Sequence, residues 1–389
     1  MVIKARIIFD QIAPFIESRE AIVITGMRQT GKTTVLRWLY ERVPSENKIF
    51  LDLENPLNRR YFEEENFEMV RKTLESLGID FGKRAYVFID EIQFVRRLPS
   101  VVKYLLDHYA VKFFLTSSAS FYLKNLFAES LSGRKYLFEL FPLSFQEFLV
   151  FRESPIHGSG DVLRLKAFYK TILPLCEEYL QFGGFPGVVL KSSVEEKRKA
   201  LEDIYTSFFQ MEVGQLADFR KNEVVRDLIL LLSTRVGSKI DFQKLSTELG
   251  VARSTVKEYV DFLRGTYFIE LLRPFHRRKD TEIRKAPKVY LCDCGLLRYL
   301  GAVEEGKIFE NAVFQNLRVQ GQLHYYQKKT GVEIDFLLNG KRAYDVKTLP
   351  QKADWHRLQM LARGLGLTGY HIVSRKYVDM EGVSYLFHL

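Results

Sequence analysis

Residues 26–33 read GMRQTGKT, and this spacing of two glycines, a lysine and a threonine suits the binding of phosphate. The glycines let the backbone curl so that its N–H groups point at phosphate oxygens. Lys32 can reach the β- and γ-phosphates of a nucleotide, and the Thr33 hydroxyl is the kind of ligand that Mg²⁺ prefers. We expect nucleotide binding by Gly26, Met27, Arg28, Gln29, Thr30, Gly31, Lys32, Thr33 and Thr34.

A second polar group, Asp90 and Glu91, follows the apolar run Tyr86–Ile89. Asp90 would hold Mg²⁺ directly or through a water, and Glu91 is placed to orient and polarise the attacking water. Acidic pairs after apolar strands are common, but this pair lies in an alternating strand–helix region that begins with the glycine loop. We therefore predict Thr33 and Asp90 as Mg²⁺ ligands and Glu91 as a catalytic residue beside Lys32.

Two further features could act on the same phosphates. The run VKFFLTSSAS contains hydroxyl residues from Thr116 to Ser118, and one of them could contact the γ-phosphate or the water. We assign this role to Ser118, with an ordinary serine-rich turn as the alternative. Arg134 could stabilise developing charge in cis or in trans, or it could be a surface residue.

A third group lies near the end of the chain, where Glu310, Asp335 and Asp345 precede Lys347. Carboxylates in this order can bind Mg²⁺ or Mn²⁺, which would polarise a phosphate and activate a water. Lys347 would stabilise the developing charge as a catalytic lysine. The pattern resembles that of the PD-(D/E)XK nucleases, although Ile334 stands where the proline of that name would be. The resemblance implies a nuclease-like fold, either active in cleavage or serving as a scaffold.

The hairpin that carries these residues has a register that the apolar pattern can predict. Asn339-Gly340 separates two runs of alternating apolar residues. A two-residue loop would turn Asp345 and Lys347 away from the face of Asp335. The apolar residues of both runs share one face only if the register moves by one residue, as a three-residue loop or a bulge allows. We predict such a loop, with Asp335, Asp345 and Lys347 on one face.

The glycine loop and the acidic pair can act together only if the strands before them end at the same edge of a sheet. Ala21–Thr25 is short, apolar and rich in β-branched residues, which is typical of a buried parallel strand. The glycine loop follows it, and then Val35, Leu36 and Leu39 recur at helical spacing. This order of strand, loop and helix is the context that the phosphate-binding motif requires.

A helix–turn–helix pattern precedes the last group. Phe242, Leu245 and Leu249 mark one short helix, a second helix carries Val256, Val260 and Leu263, and a strand follows at residues 267–272. Two helices followed by a strand are typical of a winged-helix domain.

The same region holds the clearest cluster of positive charge. The second helix carries Arg253, Thr255 and Lys257 on its early turns, and Arg277 and Arg278 lie in the basic stretch beyond the strand. Basic clusters can release counterions from nucleic-acid phosphates, so we expect these five residues to contact DNA. The alternative is that the winged helix mainly packs against the first domain.

The fold class that these patterns predict is α/β. We expect a P-loop NTPase domain with a parallel sheet over residues 1–160 and a helical lid or linker over 161–225. A winged-helix domain would follow over 226–291, and a small restriction-endonuclease-like α/β domain over 292–389. The sequence does not decide whether the helical segment is a lid or a linker.

Bulk composition narrows the class of protein. The net charge of +10 over 389 residues weakly favours a polyanionic partner. The chain has three cysteines without zinc-ligand spacing or a signal peptide before them, which favours a reducing cytoplasmic setting over a disulfide framework. No apolar run reaches the roughly 18 residues of a membrane span.

Several motifs together resemble one family. GMRQTGKTT, FIDEIQ, FLTSSAS, LSGR and ELFPLSFQEF, with GGFPGVV and VYLCDCGLL further on, are similar to motifs of archaeal and bacterial AAA-type ATPases that carry a C-terminal domain of unknown function. The resemblance runs over nearly the whole chain and implies that the nucleotide is ATP. No Asn-Lys-x-Asp guanine-recognition motif is present, which agrees with ATP.

Three hypotheses for the whole protein follow. The first is a Mg²⁺-dependent ATPase coupled to the binding or processing of DNA. The second is an ATP-driven switch or scaffold whose nuclease-like domain is inactive and binds a protein partner. The third is a metal nuclease with a degenerate P-loop, against which the complete set Lys32, Thr33, Asp90 and Glu91 counts. A homo-oligomer remains an open alternative, and no membrane partner is expected.

Overall fold

The structure is a computed structural model, and it describes residues 3–118, 131–154, 166–216, 222–276, 282 and 284–389. The chain forms two compact units. The first unit contains Met1–Phe141 and Gly265–Tyr267, and the second contains Pro142–Arg264 and Phe268–Leu389.

The first unit is built on a five-stranded parallel sheet in the order β2-β3-β4-β1-β5. The strands are β1 (Ala21–Thr25), β2 (Lys48–Asp52), β3 (Ala85–Asp90), β4 (Val111–Ser117) and β5 (Lys135–Glu139). Every residue of β1, β3 and β4 is buried, as expected for parallel strands that are covered on both faces.

Five α-helices cover this sheet among the described residues of the first unit. They are α1 (Ile7–Ile12), α2 (Lys32–Arg42), α3 (Pro56–Arg60), α4 (Phe67–Ser76) and α5 (Leu98–His108). Alternate strand residues face opposite layers. Ile22 and Ile24 pack with Leu36 of α2, whereas Val23 packs with residues of α4 and α5. The two layers hold the carboxyl ends of β3, β4 and β1 side by side.

The second unit contains a five-stranded mixed sheet in the order β12-β11-β10-β9-β8 and a two-stranded antiparallel sheet, β6-β7. The strands are β6 (Ile269–Leu272), β7 (Lys288–Leu291), β8 (Leu323–Gln327), β9 (Glu333–Leu338), β10 (Arg342–Lys347), β11 (Gly369–Ser374) and β12 (Val383–Ser384). Strands β8, β9 and β10 are antiparallel neighbours, and β11 joins β10 in parallel.

Most described helices of the chain belong to this unit. They are α6 (Phe145–Phe151), α7 (Lys166–Phe182), α8 (Pro186–Val189), α9 (Val194–Phe208), α10 (Asn222–Thr234), α11 (Phe242–Leu249), α12 (Arg253–Gly265), α13 (Cys294–Leu300), α14 (Glu305–Arg318) and α15 (Lys352–Leu365), with a π-helix over Phe209–Leu216. The last residue of α12, Gly265, belongs to the first unit. Helices α11 and α12 and then strand β6 follow one another in sequence, which is the order of two helices and a strand that the sequence predicts.

Two sequence motifs of the second unit, GGFPGVV and VYLCDCGLL, meet at one buried carboxylate. Asp293 is fully buried, caps α13 by accepting from the Leu296 N–H at 2.9 Å, and accepts from the Gly184 N–H at 2.7 Å. The backbone of Gly183 has φ +75°, and a Cβ there would lie 1.9 Å from Asp293 Oδ1. Only glycine therefore lets GGFPG approach the carboxylate that follows Cys292.

The predicted boundary at residue 160 lies beyond Phe141, where the first unit ends. The segments predicted as a lid or linker, a winged helix and a nuclease-like domain lie almost entirely in the second unit, so their division into separate domains stays a prediction. Within the described ranges, no helix has both the length and the apolar composition needed to cross a membrane.

Candidate functional site

The glycine loop connects β1 to α2 and turns sharply at its first residue. Gly26 has φ +155°, and a Cβ there would lie 2.1 Å from the carbonyl oxygen of Leu140. The Thr30 hydroxyl donates to the Met27 carbonyl at 2.8 Å, which closes the loop on itself. Arg28 is half-buried and pairs with Glu54 at 2.8 Å. The predicted phosphate loop thus has a curled backbone whose first position requires glycine.

Lys32 folds back over this loop. Its ammonium is buried and donates to the carbonyls of Gly26 and Met27, both at 3.1 Å. Lys32 Nζ also lies 3.8 Å from Glu91 Oε1, which joins the loop to the acidic pair. A phosphate bound in the loop would offer this lysine a charged acceptor in place of the neutral carbonyls.

The acidic pair meets the loop through a direct hydrogen bond. The Thr33 hydroxyl donates to Asp90 Oδ2 at 2.6 Å, and these two residues are the predicted Mg²⁺ ligands. Burial raises the pKa of Asp90, while the hydroxyls of Thr116 and Thr33 act against that rise. A hydroxyl and a carboxylate in contact are hard oxygen ligands, so this pair fits a nucleotide-bound Mg²⁺.

Each hydroxyl at the end of β4 has its own partner near the acidic pair. Thr116 donates to Asp90 Oδ1, Ser117 donates to Gln93 Oε1 at 2.9 Å, and Ser118 donates to both carboxylate oxygens of Glu91 at 2.8 and 2.9 Å. The order β3-β4-β1 explains the arrangement, because the end of β4 lies beside the end of β3. Ser118 therefore contacts Glu91, and its predicted role toward the γ-phosphate or the water stays a prediction.

Glu91 has an unusual backbone and a well-bonded side chain. It adopts the left-handed conformation with φ 54° and ψ 54°, which is uncommon for a residue other than glycine. Burial alone would raise the pKa of Glu91, but the Lys32 ammonium, the Gln93 amide, Arg28 and the Ser118 hydroxyl lower it overall. The carboxylate is thereby kept ionised, as a group that polarises water must be.

Sequence reasoning did not identify Gln93 as part of this site. It named Thr116 among the hydroxyl residues but did not predict its hydrogen bond to Asp90. Gln93 belongs to the FIDEIQ motif and donates through Nε2 to Glu91 Oε2. Its position two residues after Glu91, in a polar–apolar–polar pattern at the strand end, was the available signal. Only the turn at Ile92–Phe94 brings this side chain back toward the carboxylate.

The placement of Arg134 corrects one of its predicted alternatives. Arg134 directly precedes β5, and its carbonyl accepts from the N–H of Ala21, the first residue of β1. The phosphate loop follows the other end of β1, roughly 13 Å away for a strand of this length. Arg134 instead forms a two-point ion pair with Asp107, at 2.7 and 3.2 Å. A role in cis is therefore wrong, and a role in trans stays a prediction.

The C-terminal hairpin has the predicted register. Leu338 pairs with Arg342 and Phe336 with Tyr344, so the loop contains three residues, Asn339 to Lys341. This confirms the three-residue loop, and the same register places Asp345 across from Asp335. Lys347 Nζ lies 3.2 Å from Asp345 Oδ2.

Basic side chains of the protein already form ion pairs with these carboxylates. Asp345 is paired with Arg357 at 2.6 Å as well as with Lys347. Burial first, and then the neighbouring carboxylate of Asp335, raise the pKa of Asp345 to about 7. Asp335 accepts from the Val346 N–H at 2.8 Å. The carboxylate of Asp345, on one face of the hairpin, is thus neutralised by two basic side chains of the protein.

Glu310 lies beside a buried lysine. It accepts from the Tyr290 hydroxyl at 2.7 Å, and burial, followed by the charge of Asp335, raises its pKa to about 7. Lys288 is buried and its Nζ lies 3.0 Å from Glu333 Oε1 and 3.8 Å from Asp335 Oδ1. Burial alone would lower the pKa of Lys288, but the carboxylates of Asp335, Glu310 and Glu333 raise it overall.

These residues do not fit a metal centre. In the part of the chain that the structure describes, no group of three or more His, Cys, Asp or Glu side chains is arranged to hold a metal ion. The ammonium of Lys288 lies 3.8 Å from Asp335 Oδ1 and interacts electrostatically with Glu310, so a cation of the protein already neutralises two of these acids. The prediction of Glu310, Asp335 and Asp345 as metal ligands therefore gains no support from the geometry.

The predicted DNA-contacting residues lie partly on α12. Arg253 and Lys257 are exposed, and Thr255 is half-buried. The Lys257 ammonium lies over the Phe242 ring at 6.0 Å. Arg277 and Arg278 lie outside the described residues, so the predicted basic cluster is described only in part.

The comparisons with family models divide the chain into three matched segments. Residues 18–149 match the model of the AAA domain, which covers the strands and loops that form the nucleotide site. Residues 173–307 and 305–360 match two models described as domains of unknown function, DUF8612 and DUF4143. The chain therefore carries an AAA-type ATPase domain.

Similar proteins come from archaea and bacteria. An uncharacterized protein of Methanocaldococcus jannaschii is 26% identical over 354 residues, covering 87% of this chain and 76% of its own length. An uncharacterized protein of Haemophilus influenzae is 26% identical over 343 residues, covering 84% of this chain and 82% of its own length.

Two similar solved structures are the ORC2 and ORC1 proteins of Aeropyrum pernix. The ORC2 protein in its ADPNP–ADP complexes has a TM-score of 0.42 and 12% identity, covering 80% of this chain and 91% of that one. The ORC1 protein in complex with DNA has a TM-score of 0.33 and 15% identity, covering 77% and 92%. These overlaps are too small to carry a conclusion about this chain.

Proposed function

We propose that this protein binds and hydrolyses Mg²⁺-ATP and couples the reaction to DNA through its second unit. The observation that carries the proposal is the direct contact between the phosphate loop and the acidic pair, from Thr33 to Asp90 and from Lys32 to Glu91. Residues far apart in the sequence meet where a nucleotide's phosphates and the attacking water would lie. Lys32 would neutralise phosphate charge, Thr33 and Asp90 would hold the ion, and Glu91 would polarise the water.

The coupling to DNA is supported by the position of positive charge on α12. Arg253 and Lys257 project from its first turns into solvent, where phosphate oxygens could reach them. The net charge of +10 would assist the approach of a polyanion. We propose that α10, α11, α12 and the β6-β7 sheet act as a winged helix that binds duplex DNA.

The test compares the ATPase rate and DNA affinity of the wild type and the double variant Arg253→Ala/Lys257→Ala. If each side chain neutralises one phosphate, the slope of log affinity against log salt falls by about 2 in the variant, and stimulation by DNA weakens. Lys72→Ala/Lys83→Ala removes the same charge from exposed positions of the first unit and serves as the control. Failure of the wild type to bind DNA or respond to it at low salt rejects the coupling.

A second candidate function concerns the C-terminal sheet alone, as a scaffold for a protein partner without cleavage activity. The observation that favours it is the set of ion pairs from Lys288, Lys347 and Arg357 to the acidic residues. A divalent ion would have to displace these cations, and a buried lysine that loses its carboxylates is strongly disfavoured.

We expect no nicking of supercoiled DNA by the wild type in Mg²⁺ or Mn²⁺, at enzyme concentrations where its ATPase activity is readily measured. Asp345→Ala and Lys347→Ala would leave the DNA unchanged as well. Nicking by the wild type that disappears in Asp345→Ala would reject the scaffold and establish a nuclease. Glu381→Ala, an exposed acid of the same unit, controls for contaminating nucleases.

A further inference from the structure

The side chain of Gln93 bridges two elements of the nucleotide site. Its Nε2 donates to Glu91 Oε2, and its Oε1 accepts from the Ser117 hydroxyl at 2.9 Å. Both partners are buried, and so is Gln93. We infer that Gln93 is a positioning residue, which uses Ser117 as its anchor and holds the Glu91 carboxylate in place for ATP hydrolysis. This inference rests on the proposed ATPase function.

The chemistry of the three groups permits one orientation of the amide. An ionised carboxylate can only accept, so Gln93 must present its NH₂ group to Glu91. Its carbonyl oxygen is then left facing β4, where the Ser117 hydroxyl donates to it. Ser117 is fully buried in the strand, which gives the bridge a rigid anchor.

The backbone of Glu91 explains why such a bridge is needed. A left-handed conformation at a residue other than glycine persists only where surrounding contacts hold it. The Glu91 N–H donates to the Thr116 hydroxyl at 3.0 Å, and the carboxylate is bonded by Ser118 and Gln93. Three residues therefore stabilise a turn that would otherwise relax.

The hydrogen bond from Gln93 to Glu91 is expected to be most important while a nucleotide is bound, because of the position of Lys32. Lys32 Nζ lies 3.8 Å from Glu91 Oε1 and contributes to holding the carboxylate. Phosphates bound in the loop would compete for this ammonium. Gln93 and Ser118 do not belong to the loop, so they would continue to hold Glu91 while a nucleotide is bound. The carboxylate would thus keep its orientation during the reaction.

The test uses Gln93→Met, which preserves the length of the side chain but removes both hydrogen bonds. We expect kcat for ATP hydrolysis to fall about 10-fold, with the Kd for ATP within about 2-fold of the wild type. In the Glu91→Gln background, where no carboxylate remains to be held, Gln93→Met should cause no further fall in single-turnover rate. Gln11→Met, at an exposed residue of α1, is the matched control.

Two outcomes would overturn the inference. One is an unchanged kcat in Gln93→Met, and the other is an equal fall with and without the Glu91 carboxylate, which would mean that Gln93 acts through general stability. Should Gln93→Met fail to fold, Ser117→Ala serves instead, with an expected fall of about 3-fold that vanishes in the Glu91→Gln background. If the wild type did not hydrolyse ATP, the proposed function itself would be rejected. That result differs from hydrolysis whose rate is the same in the wild type and in Gln93→Met, which would reject only the role of Gln93.

Discussion

Replacing Glu91 by glutamine is expected to lower the rate of ATP hydrolysis by about 100-fold or more, while ATP still binds. Glutamine keeps the size of the side chain and can still be bonded by Ser118, but it cannot polarise a water as a carboxylate does. The phosphate loop, with Lys32 and Thr33, is unchanged in this variant. Steady-state hydrolysis and equilibrium binding of ATP, measured on the same preparation, give the result.

Two further variants make this prediction specific. Lys32→Ala is expected to weaken ATP binding itself, since it removes the ammonium that closes over the loop. Glu75→Gln, at an exposed position of α4, should change neither quantity. If Glu91→Gln weakened ATP binding as much as it slowed hydrolysis, Glu91 would be acting through its contact with Lys32, and the catalytic role would be rejected.

Replacing Asp293 by alanine is expected to lower the free energy of unfolding of the second unit by about 3–5 kcal/mol. The carboxylate accepts from Gly184 N–H at 2.7 Å, Leu296 N–H at 2.9 Å and Gln315 Nε2 at 3.1 Å. Alanine would leave these buried donors without their acceptor, and a cavity would remain where the carboxylate had been. The three donors lie before α8, in α13 and in α14. Removal of the carboxylate would therefore weaken the contacts that join these three segments.

Urea denaturation of the wild type and the variant measures this loss. Asp293→Asn, which keeps one acceptor oxygen, should be intermediate. Asp227→Ala removes an exposed aspartate of α10 and should change the free energy by less than about 0.5 kcal/mol. A change as small as this in Asp293→Ala would show that the junction depends on packing rather than on the carboxylate.

Short-range features were predictable because backbone geometry leaves few alternatives for them. The motif from Gly26 to Thr33 lies within eight consecutive residues and has the order of strand, loop and helix that the structure shows. The three-residue loop after Leu338 followed from the apolar alternation of its two strands, and the register confirms it. In both cases the pattern that carries the information and the structure that it determines occupy the same stretch of chain.

Contacts between distant residues could not be predicted in this way. Lys288 is one basic residue among many in its stretch, and its burial beside Asp335 depends on where β7 lies relative to β9. Arg134 was open to a role in cis until the pairing of β5 with β1 placed it at the amino ends of these strands. There it forms an ion pair with Asp107 of α5. No local pattern carries such information.

The sequence by itself determined that this chain has a phosphate loop, an acidic pair after a buried strand and a hairpin with a shifted register. Only the tertiary structure decided that Gln93, Thr116 and Ser118 hold the acidic pair. It also decided that basic side chains of the chain itself form ion pairs with the C-terminal acids. The physical reason is that a motif specifies its own backbone, whereas the partner of a buried charge is set by the packing of segments far apart in the sequence.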